Sequence, residues 1–354
     1  DETNVQPKRR FRVCTCMETS KKKPSWLGQL KEYEKPVTWR ALWQLTNTFI
    51  PYAGLVTLMY LSIRSGYPAW VTILLAIPAA AFLVRLFVFF HDCSHGSFFP
   101  NRKANRIVGH ILGVMTFTAF GSWQHGHGVH HSTNGNLDRR TIGEVWTLTA
   151  KEYVDSPWWK RAAYRIYRNP VFMFGLAPLL LFLVVQRKPH KLDNKRQRRS
   201  VWITNAAIAG VVLLASVTIG LGTYLLIQLP IMYFAGMAGI WLFYVQHQFD
   251  PGYWKREEEW HSVDAAMEGS SYYKLPRLLQ WFSANIGLHH VHHLKPRIPN
   301  YNLQRCLNAI PELRLKDHLT VKESVRSINM NLWDEVNDRL ISFRTLRKAT
   351  PSAA

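Results

Sequence analysis

Three stretches of the chain are almost free of charged residues. Residues 42–63 carry no charge, residues 67–90 carry only Arg85, and residues 201–246 contain no Asp, Glu, Lys or Arg. About 20 apolar residues span a bilayer as a helix, so the third stretch is long enough for two spans that turn near Gly220. The pattern therefore predicts two hairpins of transmembrane helices, at about 42–63, 67–90, 201–221 and 223–246.

A fourth apolar segment is too short and too irregular to cross a membrane comfortably. Residues 171–186 read VFMFGLAPLLLFLVVQ, and Gly175 and Pro178 interrupt them. The loop at 187–199 follows directly and holds seven Lys or Arg residues against one Asp. These features predict a re-entrant or interfacial element between the two hairpins.

The segments together indicate an all-α, multi-pass integral membrane protein with one domain over residues 37–354. We expect the more polar regions 91–169 and 247–354 to form a helical cap on the cytosolic side. Residues 1–36 are basic and are expected to form a disordered tail. Within that tail, METSKKKPSW from Met17 resembles a translation start, so residues 1–16 are expected to be extraneous to the native protein or disordered.

The formal net charge of +21 raises the question of a nucleic-acid partner. The basic residues do not form a recognisable nucleic-acid-binding module, however, and they cluster in the N-terminal tail and in the loop at 187–199. In membrane proteins such clusters mark cytoplasmic segments and attract anionic lipid headgroups. We therefore expect contact with membrane lipids and no binding of nucleic acid.

Most of the histidines recur at spacings that place them on one face of a helix. The three motifs are HDCSH (His91, His95), HGHGVHHSTN (His127, His130, His131) and HHVHH (His289, His292, His293). The second and third motifs share the spacing HxxHH. One histidine alone would carry little information, but three clusters with such spacing predict a shared site.

The positions of the histidines along the chain support a shared site. His91 follows the second predicted span directly, and His247 follows the fourth, so each hairpin delivers a histidine at the end of its second helix. An even number of spans separates the clusters if residues 171–186 do not cross. The basic loops then place all of the clusters in the cytosol.

Imidazole ligands suit zinc, copper, iron and nickel. The four cysteines have no regular spacing, which argues against the usual structural zinc and iron–sulfur patterns. The eight motif histidines and His247 are too many for one tetrahedral zinc and sufficient for two metal ions with open positions. These nine residues are the predicted metal-binding and catalytic residues.

The three motifs, followed by LKPRIPNYNL on a four-span scaffold, resemble the membrane fatty acid desaturases, whose histidine boxes read HxxxH, HxxHH and HxxHH. The flanking sequences DRRTIGEVWTLTAKEY and GSSYYKLP are most similar to bacterial acyl-lipid desaturases of the Δ12 or ω-6 type. The resemblance extends over about residues 25–320.

This resemblance implies a cytosol-facing di-iron centre with eight box histidines as ligands and His247 as the ninth. It implies a bacterial cytoplasmic membrane enzyme that uses O2 and two electrons to introduce a cis double bond into a lipid-linked fatty acyl chain, at Δ12 or ω-6. Phe243 stands where the stearoyl-type relatives have an Asn. Because the chain has neither a fused cytochrome b5-like motif nor ferredoxin cysteine spacing, a separate ferredoxin or cytochrome b5-like donor is expected.

Two other functions are compatible with the histidine pattern. A di-iron membrane hydroxylase or carotenoid ketolase would need the same metals. A non-catalytic membrane metal carrier is the more distant alternative, because a carrier should have polar ligands within its spans and these spans are nearly free of them.

Several further residues are candidates for supporting roles. Carboxylates commonly orient metal-binding imidazoles, and Asp92, Asp138 and Asp250 could do so, although each could equally be a loop or cap residue. His125 and His290 flank the boxes out of phase and are expected to lie behind the ligands or to be neutral in function. Arg85 is expected to snorkel towards the cytosolic interface.

Overall fold

The computed structural model describes residues 24–140 and 143–349, and these residues are mostly helical. Residues 1–23, which include the expected extraneous or disordered segment 1–16, lie outside the described residues. The first nine α-helices are α1 (Thr38–Arg64), α2 (Ala69–His95), α3 (Arg102–Met115), α4 (Phe120–Thr133), α5 (Ala150–Val154), α6 (Trp158–Tyr167), α7 (Ala177–Leu183), α8 (Lys195–Thr218) and α9 (Leu221–His247). They are followed by α10 (Ser262–Met267), α11 (Arg277–Phe282), α12 (His289–Leu294), α13 (Asn300–Ala309), α14 (Pro311–Arg314), α15 (Val321–Ser324) and α16 (Phe343–Ala349).

The first predicted hairpin is formed by α1 and α2, which pack closely against each other. α2 also packs against α3 and α9, and this makes it the central helix of the bundle. It continues past the predicted end at Phe90 to His95, so the HDCSH motif is helical. Gly96 then ends the helix in a left-handed conformation, with a φ of 67°, that favours glycine.

The second predicted hairpin is formed by α8 and α9, which turn at Gly220 as expected. α8 begins at Lys195, before the predicted start at residue 201. The reason is an N-cap: the side chain of Asn194 accepts hydrogen bonds from the backbone N–H groups of Arg196 and Gln197. The first two turns of α8 are therefore basic, and the uncharged part of the helix follows them.

Among the described residues, three helices are long and apolar enough to cross a membrane, namely α2, α8 and α9. A fourth is added if α6 and residues 171–187, which meet at a bend of 57°, are counted as one broken span. α1 is not in this set, because polar residues such as Gln44 and Asn47 interrupt its uncharged stretch. The apolar helices mark a membrane protein, and the particular four-span topology stays a prediction.

Residues 171–187 form short helical pieces that pack on the second hairpin. A π-helix (Val171–Leu176) precedes α7, and a 3-10 helix (Val185–Arg187) follows it. In α9, Gly236 permits close approach, because a Cβ at this position would lie 3.0 Å from the Pro178 Cβ and 3.2 Å from the Phe182 ring. The broken geometry is compatible with either a bent span or a re-entrant loop, so the predicted re-entrant or interfacial placement is untested.

Arg85 of α2 does not snorkel, so that prediction is wrong. The residue is only 3% exposed, and its guanidinium donates hydrogen bonds to Thr48 Oγ1, at 3.1 Å, and to the backbone carbonyl of Trp281. The guanidinium carbon also lies 4.0 Å from the centre of the Trp281 ring. A buried charge needs such partners, and here they connect α2 to α1 and α11.

The described residues are mostly helical, as predicted, but they also contain five short strands that the prediction of an all-α fold did not include. They are β1 (Leu148–Thr149), β2 (Tyr272–Lys274), β3 (His318–Thr320), β4 (Leu332–Asp334) and β5 (Arg339–Ile341). One sheet has the order β1-β4-β5, in which β1 and β4 are parallel and β4 and β5 antiparallel, and β2 pairs with β3 in parallel. Leu148 pairs with Leu332, and strands this short leave no alternating pattern in the sequence.

The expectation of a disordered tail over residues 1–36 is wrong for its last part. Residues Ser25–Glu34 form a 3-10 helix that packs against α13. Leu30 is fully buried in a cluster with Leu303 and Leu307 of α13. Trp26, Leu27 and Tyr33 are partly buried against the same cluster, so apolar contacts order this segment.

Candidate metal centre

Four helices bring the predicted histidines together. α2 carries His91 and His95 in its last turns, and α9 ends at His247. α4 carries the first HxxHH motif, and the short helix α12 carries the second. The i, i+3, i+4 spacing places the histidines of each motif on one face of its helix, as predicted from the sequence.

The nine imidazoles divide into two groups, and within each group the donor nitrogens lie within 4.8 Å of one another. The five-histidine group consists of His91, His95, His127, His131 and His292. The four-histidine group consists of His130, His247, His289 and His293. Each HxxHH motif contributes to both groups, so the two groups are adjacent.

Distances between Nε2 atoms show how closely the rings converge. His247 Nε2 lies 3.1 Å from His130 Nε2 and 3.0 Å from His289 Nε2, and His131 Nε2 lies 3.0 Å from those of His127 and His292. Two metal–imidazole bonds of about 2.1 Å at a right angle place their nitrogens about 3.0 Å apart. The spacing therefore fits rings that share a metal ion.

Two buried nitrogen atoms give a further indication of metal binding. Nε2 of His91 and Nε2 of His95 have no hydrogen-bond partner within residues 24–140 and 143–349, although both belong to the five-histidine group. A buried polar atom without a partner is unfavourable, and a bound ion would satisfy both. The residues present thus fit metal ions in both groups.

Burial also sets the protonation of the imidazoles outside the apolar spans. Desolvation is the main cause that lowers the pKa of His131 well below 6.5, and the neighbouring imidazoles of His95 and His130 lower it further. The pKa is lowered for the same reasons in His127, His130, His289, His292 and His293. These rings are neutral at pH 7, which is the form that binds metal.

Asp92 is the one predicted supporting carboxylate that lies against a histidine of the site. Its Oδ1 is 3.1 Å from Nδ1 of His91, and its Oδ2 accepts hydrogen bonds from the backbone N–H and the side-chain amide of Asn300. Asp138 instead pairs with Arg256, and neither Asp138 nor Asp250 belongs to the two histidine groups. Sequence reasoning missed Asn300, whose only signal is its place shortly after the third motif.

Aromatic side chains border both groups. Trp123 stacks on His127 with the ring centres 4.3 Å apart, and Phe243 lies 5.4 Å from His130 and 5.1 Å from His247. Trp123 precedes His127 by one helical turn of α4, a spacing that could have indicated it. These rings give the centre an apolar border.

The two out-of-phase histidines lie outside both groups. His290 is fully buried, but its Nε2 is 3.1 Å from the carbonyl oxygen of Leu313 and its ring lies against Tyr272. His125 lines a cavity beside the centre.

Comparison with known proteins agrees with this picture. A sequence model of the fatty acid desaturase family matches residues 68–324. The chain is 43% identical over 319 residues to a fatty acid desaturase of Bacillus subtilis (strain 168), which covers 90% of each chain. It is 27% identical over 236 residues to an sn-1 oleoyl-lipid 12-desaturase of Picosynechococcus, covering 65% of this chain and 66% of the relative. It is 29% identical over 239 residues to an sn-1 acyl-lipid omega-3 desaturase (ferredoxin) of Nostoc, covering 64% of this chain and 63% of the relative.

The apolar helices and the two histidine groups define a membrane protein with a histidine-rich centre that can hold metal ions. The chain belongs to the fatty acid desaturase family, and it is an oxidoreductase of that kind.

Proposed function

We propose that this desaturase holds two iron ions in the two histidine groups and introduces a cis double bond into a lipid-linked acyl chain. The observation that carries the proposal is the division of nine imidazoles into groups of five and four, with Nε2 spacings of 3.0–3.1 Å. Six ligands are usual for an octahedral ion, so five and four imidazoles leave open positions in both groups. The all-imidazole donor set is compatible with iron and lacks the thiolates of structural zinc sites.

Desaturation of an acyl chain is an oxidation that the side chains cannot perform alone. Bound iron would supply the activation of O2 that an unactivated methylene group requires. Two hydrogen atoms leave the substrate, and with two further electrons and two protons they reduce O2 to two molecules of water. The protein must orient the acyl chain and exclude bulk water, and the rings of Trp123 and Phe243 beside His127 and His130 are suited to this role.

The electrons come from a separate donor in this proposal. Of the four cysteines, Cys93 and Cys306 are both buried and lie in different helices, which does not suit an iron–sulfur cluster. One relative carries ferredoxin in its name. A ferredoxin, or a cytochrome b5-like protein, would dock on the face of the molecule that carries the histidines.

We further propose that the chain crosses the bacterial cytoplasmic membrane four times, with the histidines on the cytosolic side. α2 and α9 both end at histidines of the centre, so both helices enter it from the same side. The basic start of α8 supports a cytosolic position for that end.

We propose Δ12 or ω-6 as the position of the new double bond. The flanking sequences of the histidine motifs support it, together with the similarity to a relative named as a 12-desaturase. Another relative is named as an omega-3 desaturase, so the position needs a direct test.

Expression in a host that contains oleoyl lipids, with ferredoxin and its reductase supplied, tests the whole proposal. The expected product is a linoleoyl chain, identified by gas chromatography with double-bond location. His131→Ala should yield no product, whereas His318→Ala, which changes an exposed histidine away from both groups, should yield wild-type amounts.

Other products would contradict specific parts of the proposal. A new double bond at another position would overturn the Δ12 or ω-6 assignment alone. A hydroxy or keto product would favour the related hydroxylase or ketolase. Unchanged lipids with iron, O2, donor and protein all present would contradict the desaturase activity itself.

A further inference from the structure

A large basic cavity lies beside the five-histidine group. It has a volume of about 1280 Å³ and is bordered by the last turn of α2, the first turns of α3 and α8, and part of α4. His95 of the five-histidine group lines it directly, together with Ser94 and Gln124. The cavity therefore opens onto the candidate metal centre.

The lining of this cavity is cationic and contains no carboxylate. Its six charged residues come from α3, α8 and the loop after α12: Arg102, Lys103, Arg106, Arg196, Arg199 and Arg297. Within residues 24–140 and 143–349, none of these six side chains forms an ion pair or a hydrogen bond to an acceptor. So many unpaired cations around one space favour an anionic ligand.

Two further features add to the positive potential. The N-terminal turns of α3 and α8 both border the cavity, and helix N-termini favour anions. The pKa of His110, which also lines the cavity, is lowered by burial and then by Arg106 and Arg196, so cations from both helices converge on the same place.

The depth of the cavity in the bundle indicates the kind of anion. Arg196 and Arg199 of α8 line it, and the uncharged part of this apolar helix begins directly afterwards. Ser94 and His95, at the C-terminal end of the apolar helix α2, line it as well. The cavity thus lies where two apolar helices end, which is the level of lipid headgroups.

We propose that this cavity binds the phosphate group of the phospholipid that carries the acyl substrate. The inference rests on the proposed function and specifies its substrate class. A phosphate held by Arg196, Arg199 and their neighbours fixes the glycerol backbone at the cavity, and the acyl chain can then extend past His95 to the centre.

The charge-neutralising variant Arg196→Gln/Arg199→Gln tests the proposal on the full chain in mixed micelles. The substrates are dioleoylphosphatidylglycerol and dioleoylglycerol, which have the same acyl chains and differ in the phosphate headgroup. We expect KM for the phospholipid to rise by about tenfold, with kcat and the KM for dioleoylglycerol unchanged. Arg344→Gln/Arg347→Gln, two exposed arginines of α16, is the matched control and should leave both KM values unchanged.

Three outcomes would overturn the proposal. The first is an unchanged KM for the phospholipid in the cavity variant. The second is a raised KM for oleoyl-CoA without one for the phospholipid, which would assign the cavity to a soluble phosphate-bearing thioester. The third is a raised KM for ferredoxin with both lipids, which would make the cavity a docking site for an acidic electron donor.

A binding measurement separates this inference from the desaturase proposal. Native mass spectrometry counts the dioleoylphosphatidylglycerol molecules retained by the wild type and by Arg102→Gln/Arg106→Gln, which removes two of the three α3 cations of the cavity. Retention by the wild type and loss in the variant would support the site even if no lipid were desaturated. Equal retention would overturn it, whatever the enzyme produces.

Discussion

The carboxylate of Asp92 lies 3.1 Å from Nδ1 of His91, the neighbouring residue in the chain. The same carboxylate holds Asn300 at the start of α13 through two hydrogen bonds of 2.7 and 2.9 Å. The side chain is 1% exposed, so these contacts are shielded from water. Asp92 thus orients one predicted ligand and connects α2 to the segment that follows the third histidine motif.

Asp92→Asn should weaken metal binding. An amide has one acceptor oxygen in place of two, so it cannot accept from His91 and from Asn300 together. Loss of such an orienting contact typically lowers metal affinity by about 10–100-fold. Iron per chain, measured by elemental analysis after reconstitution at limiting iron, should fall.

The control for Asp92→Asn is Asp138→Asn, which removes an exposed carboxylate that pairs with Arg256 and lies outside both histidine groups. Iron content should be unchanged in this variant. Equal iron contents in both variants and the wild type would contradict a role for Asp92.

His247 is predicted to be a metal ligand although it lies outside the three motifs. Its Nε2 lies within 3.1 Å of those of His130 and His289, so His247→Ala should open the four-histidine group. We expect turnover to be lost and the iron content to fall from about two towards one per chain, by the ligand preference of imidazole sites. His318→Ala is the control. Full activity of His247→Ala would remove His247 from the ligand set.

That the histidines of each motif share one face could be predicted from the sequence, because their spacing is a local property of a helix. HxxHH fixes which residues share a face, and the apolar runs place His91 and His247 near the ends of α2 and α9. The division of the nine histidines into two groups could not be predicted from the sequence, because it depends on how α4 and α12 face each other. The same holds for the contact between Asp92 and Asn300, which are 208 positions apart.

The wrong predictions have the same physical origin. The prediction that Arg85 snorkels rests on its position about two helical turns from the cytosolic interface. The partners of Arg85 are Thr48 of α1 and Trp281 of α11, which lie 37 and 196 positions away in the chain. The parallel pairing of β1 with β4 likewise joins distant segments of two or three residues, too short to show a strand pattern.

The proposed topology predicts the accessibility of single cysteines in intact cells. Ser65→Cys, in the turn between α1 and α2, should react with an impermeant maleimide added from outside. Lys195→Cys, at the start of α8, should react only after the membrane is permeabilised. Both variants need a background in which the native cysteines are replaced. Labelling of position 195 from outside would contradict a cytosolic site.

Glu144 gives the protein a predicted pH dependence of stability. The carboxyl accepts a hydrogen bond of 3.3 Å from Thr133, and burial raises its pKa from 4.5 to about 8. At a pH between 4.5 and about 8, Glu144 keeps its proton in the folded protein and has lost it in the unfolded chain. The free energy of unfolding therefore falls as the pH rises from about 4.5 to 8.

Glu144→Gln should remove this pH dependence. The difference in Tm between the variant and the wild type, measured on metal-free protein in detergent, should grow from pH 5 to pH 8 by several degrees, on the order expected for a buried charge. Glu258→Gln, which alters an exposed carboxylate, is the control. Its plot of Tm against pH should be parallel to that of the wild type. A parallel curve for Glu144→Gln would show that the buried carboxyl is not protonated.

Electron transfer from an acidic ferredoxin should weaken with salt. The chain carries a net charge of +21, so docking of an acidic donor is favoured by long-range attraction. Raising the ionic strength from about 0.01 to 0.15 M shortens the screening length from about 30 to 8 Å and should raise KM for ferredoxin. A KM that does not respond to salt would argue against electrostatic docking, while a separate donor would still be required.

The four-histidine group joins α4, α9 and α12, and His130 and His247 are 117 positions apart. An ion bound there would act as a cross-link that closes long loops, and its stabilisation of the folded chain would grow with the logarithm of its free concentration once that exceeds the Kd. A chain made without the metal lacks this cross-link and is more exposed to proteases. The amount of enzyme in a cell would then follow the supply of the metal, through degradation of the empty protein.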